Sequence, residues 1–252
     1  MKDFTIGGVI GRTFALIRRH FGDFAVAAAI LVFLPNLVST ATGTSTTRTS
    51  DAAGALRDTT TSWSSLGGGG SVLVWLGGIV LYGIVVWAAL GDLRGERFGL
   101  GAAVKVSFRA FLPNLGVGIL YLIGVSLGFL LLVVPGAMLQ CAWLVAIPAN
   151  MAEGTGVLGA FGRSRALTAG HRWPLFGLLL LYAVATIGLG LVAIVGTSLS
   201  LAGGGFWIFK ILVAASSAVI SLVGSAGAVA CYLELRQIEG GALSSDLVES
   251  FS

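Results

Sequence analysis

Six apolar runs, separated by polar or basic connections, leave this chain few ways to fold. They cover residues 24–40, 72–91, 115–134, 137–152, 174–197 and 206–233. Crossing the roughly 30 Å hydrocarbon core of a bilayer takes about 20 residues of helix. Inside that core every backbone N–H and C=O needs a partner from its own segment, so each run is predicted to be helical. The fourth run has 16 residues, a rise of about 24 Å, which is expected to bring Pro148 and Asn150 to the interface. A re-entrant hairpin across the third and fourth runs is the rival arrangement. Only 10% of the residues are charged and 56% are hydrophobic, where a soluble domain has roughly a quarter charged. That excludes the ordinary soluble case.

Orientation follows from lysine and arginine placement. Lys2, Arg12, Arg18 and Arg19 precede the first run, and Arg94, Arg97, Lys105 and Arg109 lie between the second and third. Arg163, Arg165 and Arg172 lie between the fourth and fifth, and Arg236 follows the sixth. Only Arg48, Arg57 and Lys210 fall on the other side, so 12 of the 15 basic residues share one face. The reading is an all-α bacterial inner-membrane protein with six transmembrane helices and both termini cytoplasmic. Trp63 and Trp207 near outer ends, with Trp87 and Trp173 near inner ends, suit aromatic belts.

The basic connections are themselves patterned. Ile6, Ile10, Phe14, Ile17 and Phe21 recur at helical spacing among arginines, which predicts an amphipathic helix on the cytoplasmic surface. Ser39-Thr40-Ala41 imitates a signal cleavage site, but the long structured lead-in favours an uncleaved first span. Between Asp92 and Pro113, Val104, Phe108, Phe111 and Leu112 form one face while Lys105 and Arg109 form another. A third such segment runs from Glu153 into the fifth span at Pro174. The Thr-, Ser- and Gly-rich stretch after residue 40 is expected to be a flexible loop. Pro135-Gly136 is read as the turn after the third span, Ser198 to Gly205 as a loop, and residues 241–252 as an acidic cytoplasmic tail. The chain can also be laid out as three copies of one unit (surface helix, span, external turn, span) beginning near residues 4, 98 and 155. Gly11-Arg12 then stands against Gly162-Arg163, Thr13-Phe14 against Ser107-Phe108, and His20 against His171. Six spans from any duplicated hairpin would also give some of these matches.

Several of these features resemble one family. They are Pro135-Gly136, the Trp143 and Pro148 pair, GVLGAFGRSRALTAGHRWPLFG, and the terminal YLELRQIEGGALSSDLVESF. Together they resemble the bacterial membrane domain found ahead of glycerophosphodiester phosphodiesterases, which also occurs as stand-alone proteins. The resemblance covers nearly the whole chain. It implies that catalysis in fused members belongs to a separate soluble barrel, so a sequence ending at Ser252 is expected to be a stand-alone member without that activity.

Chemistry is sparse. His20 and His171 sit among arginines, and no two carboxylates share close helical spacing with either. A hydrolase would need Glu153, His171 or Asp92 to converge, so no catalytic residue is expected. Cys141 and Cys231 fall in different helices without metal-ligand spacing, so neither a disulfide nor a metal or cofactor is expected. No long basic block is present, which excludes a nucleic-acid partner. Arg163, Arg165, His171 and Arg172 are the candidates for lipid headgroups or phosphates, since guanidinium pairs bidentately with phosphate. Within the spans the one candidate polar site is Gln140. Small residues at Gly124 and Gly128, and at Ser217, Ser221 and Ser225, suit close helix packing. The leading expectation is a non-enzymatic protein engaging membrane lipids, anionic ones included, or an unspecified protein partner through its basic face. The alternative is a transporter or permeation protein for lipid-like or small apolar solutes. A cavity between the spans with Gln140 facing it would favour the alternative, and a tightly packed centre would count against it.

Overall fold

A computed structural model describes residues 4–41, 45–50, 56–61, 67–95, 99–203 and 206–250. The first helix, α1 (Ile6–Arg19), bends by 86° at His20 into the first apolar run. That run comprises α2 (Phe21–Ala28), a π-helical turn (Ala29–Phe33) and α3 (Leu34–Ala41). Pro35 accounts for the π turn. Proline has no N–H for the carbonyl four residues back, and its ring crowds that carbonyl. The ladder widens so that the Leu34 N–H reaches the Ala29 carbonyl. The Leu31 carbonyl then presses against Gly77 so closely that any Cβ there would collide.

The connection expected as a flexible loop instead contains two strands, β1 (Ser45–Ser50) and β2 (Leu56–Thr61), paired antiparallel with Arg48 opposite Asp58. Threonine is β-branched and favours the pleated backbone; hydrophobic content alone did not register that preference. The other helices are α4 (Gly67–Arg94), α5 (Leu100–Arg109), α6 (Phe111–Leu131), α7 (Val133–Trp143), α8 (Ala146–Glu153), α9 (Gly156–Leu167), α10 (Arg172–Gly203) and α11 (Phe206–Ser250). Five segments are long and apolar enough to cross a membrane, and six if the bent first pair is one span.

Two boundaries differ from expectation, and proline explains both. The reversal between the third and fourth runs falls at Leu132, whose backbone is extended, while Pro135 and Gly136 lie inside α7. Pro113, Pro135 and Pro174 each occupy the third residue of a helix, where a missing N–H costs nothing because first-turn donors have no helical acceptor. Gly136 serves close approach instead: a Cβ on Gly128 would stand 2.9 Å from its Cα. Pro148 breaks the fourth run four residues earlier, at Leu144 and Val145, separating α7 from α8. Pro148 and Asn150 are buried, and Asn150 Nδ2 donates to Asn114 Oδ1 at 2.9 Å. The segment read as a loop from Ser198 is helical to Gly203, and residues 204–205 lie outside the described set. Helix α11 continues to Ser250 through most of the expected acidic tail. The side chains of Trp63, Arg94, Trp207 and the tail, and all of Arg97, also lie outside the described residues.

Helices α4, α8 and α11 touch one another, and each carries a second helix along its flank: α5 on α4, α9 on α8, α1 on α11. The flanking helices bury equivalent positions. Val9, Ala103 and Ala160 are buried, as are Thr13, Ser107 and Ser164 four residues later. The largest cluster of buried apolar side chains joins Phe24 and Val32 to Leu81, Ile84 and Val85 of α4 and Val229 of α11. Helices α6 and α10 instead leave large apolar residues such as Leu130, Ile187 and Val192 exposed.

Candidate functional site

Charged groups gather at the ends of α4 and α8 and around Glu234 and Glu239 within α11. Arg163 of α9 lies between two carboxylates: its Nε donates to Glu153 Oε2 at 2.7 Å, and its terminal nitrogens donate to both Glu239 oxygens at 2.6 Å. Glu153 also accepts from the Tyr232 hydroxyl at 2.9 Å. These partners, Glu239 foremost and then Glu153, raise the Arg163 pKa further above its already high ordinary value. A turn away, Arg12 Nε meets Glu234 Oε2 at 2.8 Å, and its terminal nitrogen donates to Gln237 at 2.7 Å. The start of α2 is tied to α4, with His20 Nε2 3.1 Å and Arg19 Nε 3.4 Å from Asp92. Partners so far apart in the chain leave no mark on spacing.

The four predicted headgroup ligands do not form one cluster. Arg163 is engaged by carboxylates of this chain. Arg165 is exposed to solvent. His171 sits over Phe4, ring centroids 6.0 Å apart, with Nδ1 3.3 Å from the Ala169 carbonyl. Arg172 is half-buried, and its Nε makes no hydrogen bond among the described residues. Glu153, His171 and Asp92 likewise sit in three separate sets of contacts.

Gln140 does lie where a functional group would be useful. It lines a partly open cavity of about 750 Å³ between α1, α4, α6, α7, α8, α10 and α11. That volume falls within the roughly 300–1,000 Å³ typical of small-molecule sites. The walls are mostly apolar, with Trp75 and Trp143 among them, and Val9, Ile10, Thr13 and Phe14 of α1 line the end beside Gly227. Tyr82, Tyr121 and Tyr182 line the cavity together with Gln140. No Asp, Glu, Lys, Arg or His occurs among the described lining residues. The tyrosines escaped notice in the sequence, although their placement in the middle of apolar runs, away from the interfacial belts where such rings collect, was the available signal.

The small-residue faces receive neighbours from within the chain. Gly124 lies under the Trp143 ring and Gly224 under the Tyr182 hydroxyl, while Ser217 accepts from Asn36 at 2.9 Å. The fold and cavity define a predominantly helical protein with five segments, or six if the bent first pair is one span, long and apolar enough to cross a membrane. No family model, curated protein or solved structure matches the chain.

Proposed function

We propose that this is an inner-membrane protein that admits a lipid-like or small apolar solute into the cavity between its spans, as a transporter or permeation protein does. The cavity faced by Gln140 carries the reading. The competing reading, recognition through the basic face, is weaker because Arg163 already pairs with Glu153 and Glu239; exposed Arg165 still attracts anionic headgroups loosely. In this reading the first apolar run is a sixth span, and the basic connections and both termini are cytoplasmic. Residues 4–95, 99–153 and 156–240 act as three units around α4, α8 and α11. The flanking of α11 by α1, which closes a ring begun by α5 on α4 and α9 on α8, supports that arrangement. The resemblance to phosphodiesterase-linked membrane domains fits a membrane module, and phosphodiesterase activity forms no part of the proposal.

A cavity-filling substitution tests it. A Cβ on Gly78 meets nothing nearer than the Ser221 hydroxyl, at 4.0 Å. Gly78→Leu is therefore expected to fold, gaining about 1 kcal/mol of helix propensity, while losing solutes that native mass spectrometry finds on the wild type. Equal retention by both proteins would rule the cavity out as the binding place.

A further inference from the structure

We propose that the cavity selects an uncharged amphiphile: an alkyl-like body with one hydroxyl or amide head that hydrogen-bonds at Tyr82, Tyr121 and Gln140. The inference rests on the cavity reading above and adds the chemical class of the occupant.

Charge is disfavoured by the walls. An ionised head brought among Leu178, Leu144 and Ile147 would lose its hydration and find no counter-charge on the described lining. Arg12, on the helix that lines one end, is held by Glu234 and Gln237. A phosphate or carboxylate head would have to break that pair to obtain Arg12 as a partner.

A wholly apolar occupant is disfavoured by the uncharged polar groups on the same lining. Tyr82 on α4, Tyr121 on α6 and Gln140 on α7 bring three uncharged polar side chains to the lining of the same cavity. The amide of Gln140 offers two donors and an acceptor oxygen. Neither the Tyr82 hydroxyl nor the Ser221 hydroxyl makes a hydrogen bond among the described residues, although both residues line the cavity. Tyr182 is already committed, donating to the Ile220 carbonyl at 3.2 Å. An apolar molecule would shut these open groups away unpaired, whereas one head that both donates and accepts would satisfy them. Trp75, Trp143 and the leucines of α10 then enclose the chain of the ligand.

The full chain, purified and placed in phosphatidylcholine nanodiscs, would be offered hexadecan-1-ol, hexadecane, or palmitate at a pH where the acid is ionised. Retained ligand would be counted by native mass spectrometry. Hexadecan-1-ol is expected to be retained on the order of ten-fold better than either analogue, the ratio that one satisfied buried hydrogen bond supplies. Tyr82→Phe and Gln140→Leu are each expected to lower the alcohol towards hexadecane, with circular dichroism confirming the fold; Tyr82→Phe keeps the ring and stands as the test should the other variant unfold. Palmitate bound as well as the alcohol would overturn the exclusion of charge. If hexadecane binds equally and Gly78→Leu removes both, the cavity is a site but its polar wall is not read, and this inference fails alone. Retention of none of the three would remove the cavity reading and this one with it.

Discussion

Arg163 and Arg165 are two residues apart and have different surroundings. Arg163 is held by two carboxylates, while Arg165 is exposed. Arg163→Ala is expected to destabilise the fold by about 1–3 kcal/mol through loss of charge-assisted hydrogen bonds, and Arg165→Ala by under about 0.5 kcal/mol; thermal unfolding in detergent separates the two. The raised Arg163 pKa adds stability that is present below the ordinary guanidinium value and is lost only above it. Arg163 itself therefore contributes no pH dependence near neutrality. Asn150 belongs to the same scale. Asn150→Ala would leave the buried Asn114 carbonyl oxygen without its donor, at a cost of about 1–3 kcal/mol visible in the same melts.

Among the elements, α1 has the most to decide. It runs at 86° to the helix that follows it, lines one end of the cavity, and is tied to α11 by the Arg12 pair with Glu234. If α1 is the cytoplasmic door of the proposed path, Arg12→Ala should speed thiol labelling of a cysteine placed at Thr13, measured from the cytoplasmic side of inverted vesicles. An unchanged rate would mean that the helix is a fixed floor. The α6–α7 hairpin is the contrasting case, because Gly124 and Gly128 let Trp143 and Gly136 approach. Gly124→Leu is expected to displace Trp143, lowering stability by about 1–3 kcal/mol as overpacking does and shifting the tryptophan emission.

At the scale of the molecule, the proposed topology puts the basic connections together and the β1–β2 ribbon opposite them. Single cysteines replacing Lys105 and Arg165 should react with a membrane-impermeant maleimide only from the cytoplasmic side. Cys141 and Cys231 are buried and give little background. Labelling of either position in intact cells would end the six-span scheme and the solute path that depends on it. Helical runs and basic connectors were legible beforehand because hydropathy and charge act over whole segments. Their ends were less legible: Pro35 and Pro148 reshape helices through a carbonyl four residues away, and the Thr-rich connection pairs as strands although it is too polar to form a core.

What the residues determine by themselves is the helical, membrane-type class of the chain, since apolar runs of that length bury their backbone polar groups in helices. They also single out Gln140 as the polar residue in an apolar run. Only the tertiary structure decided which charges meet, placing Arg163 between Glu153 and Glu239, Arg12 against Glu234, and His20 beside Asp92. It also decided that Gln140 joins Tyr82 and Tyr121 at a cavity. Those groups lie ten or more residues apart in the chain, so their meeting depends on how the helices pack against one another, which no local pattern of residues encodes.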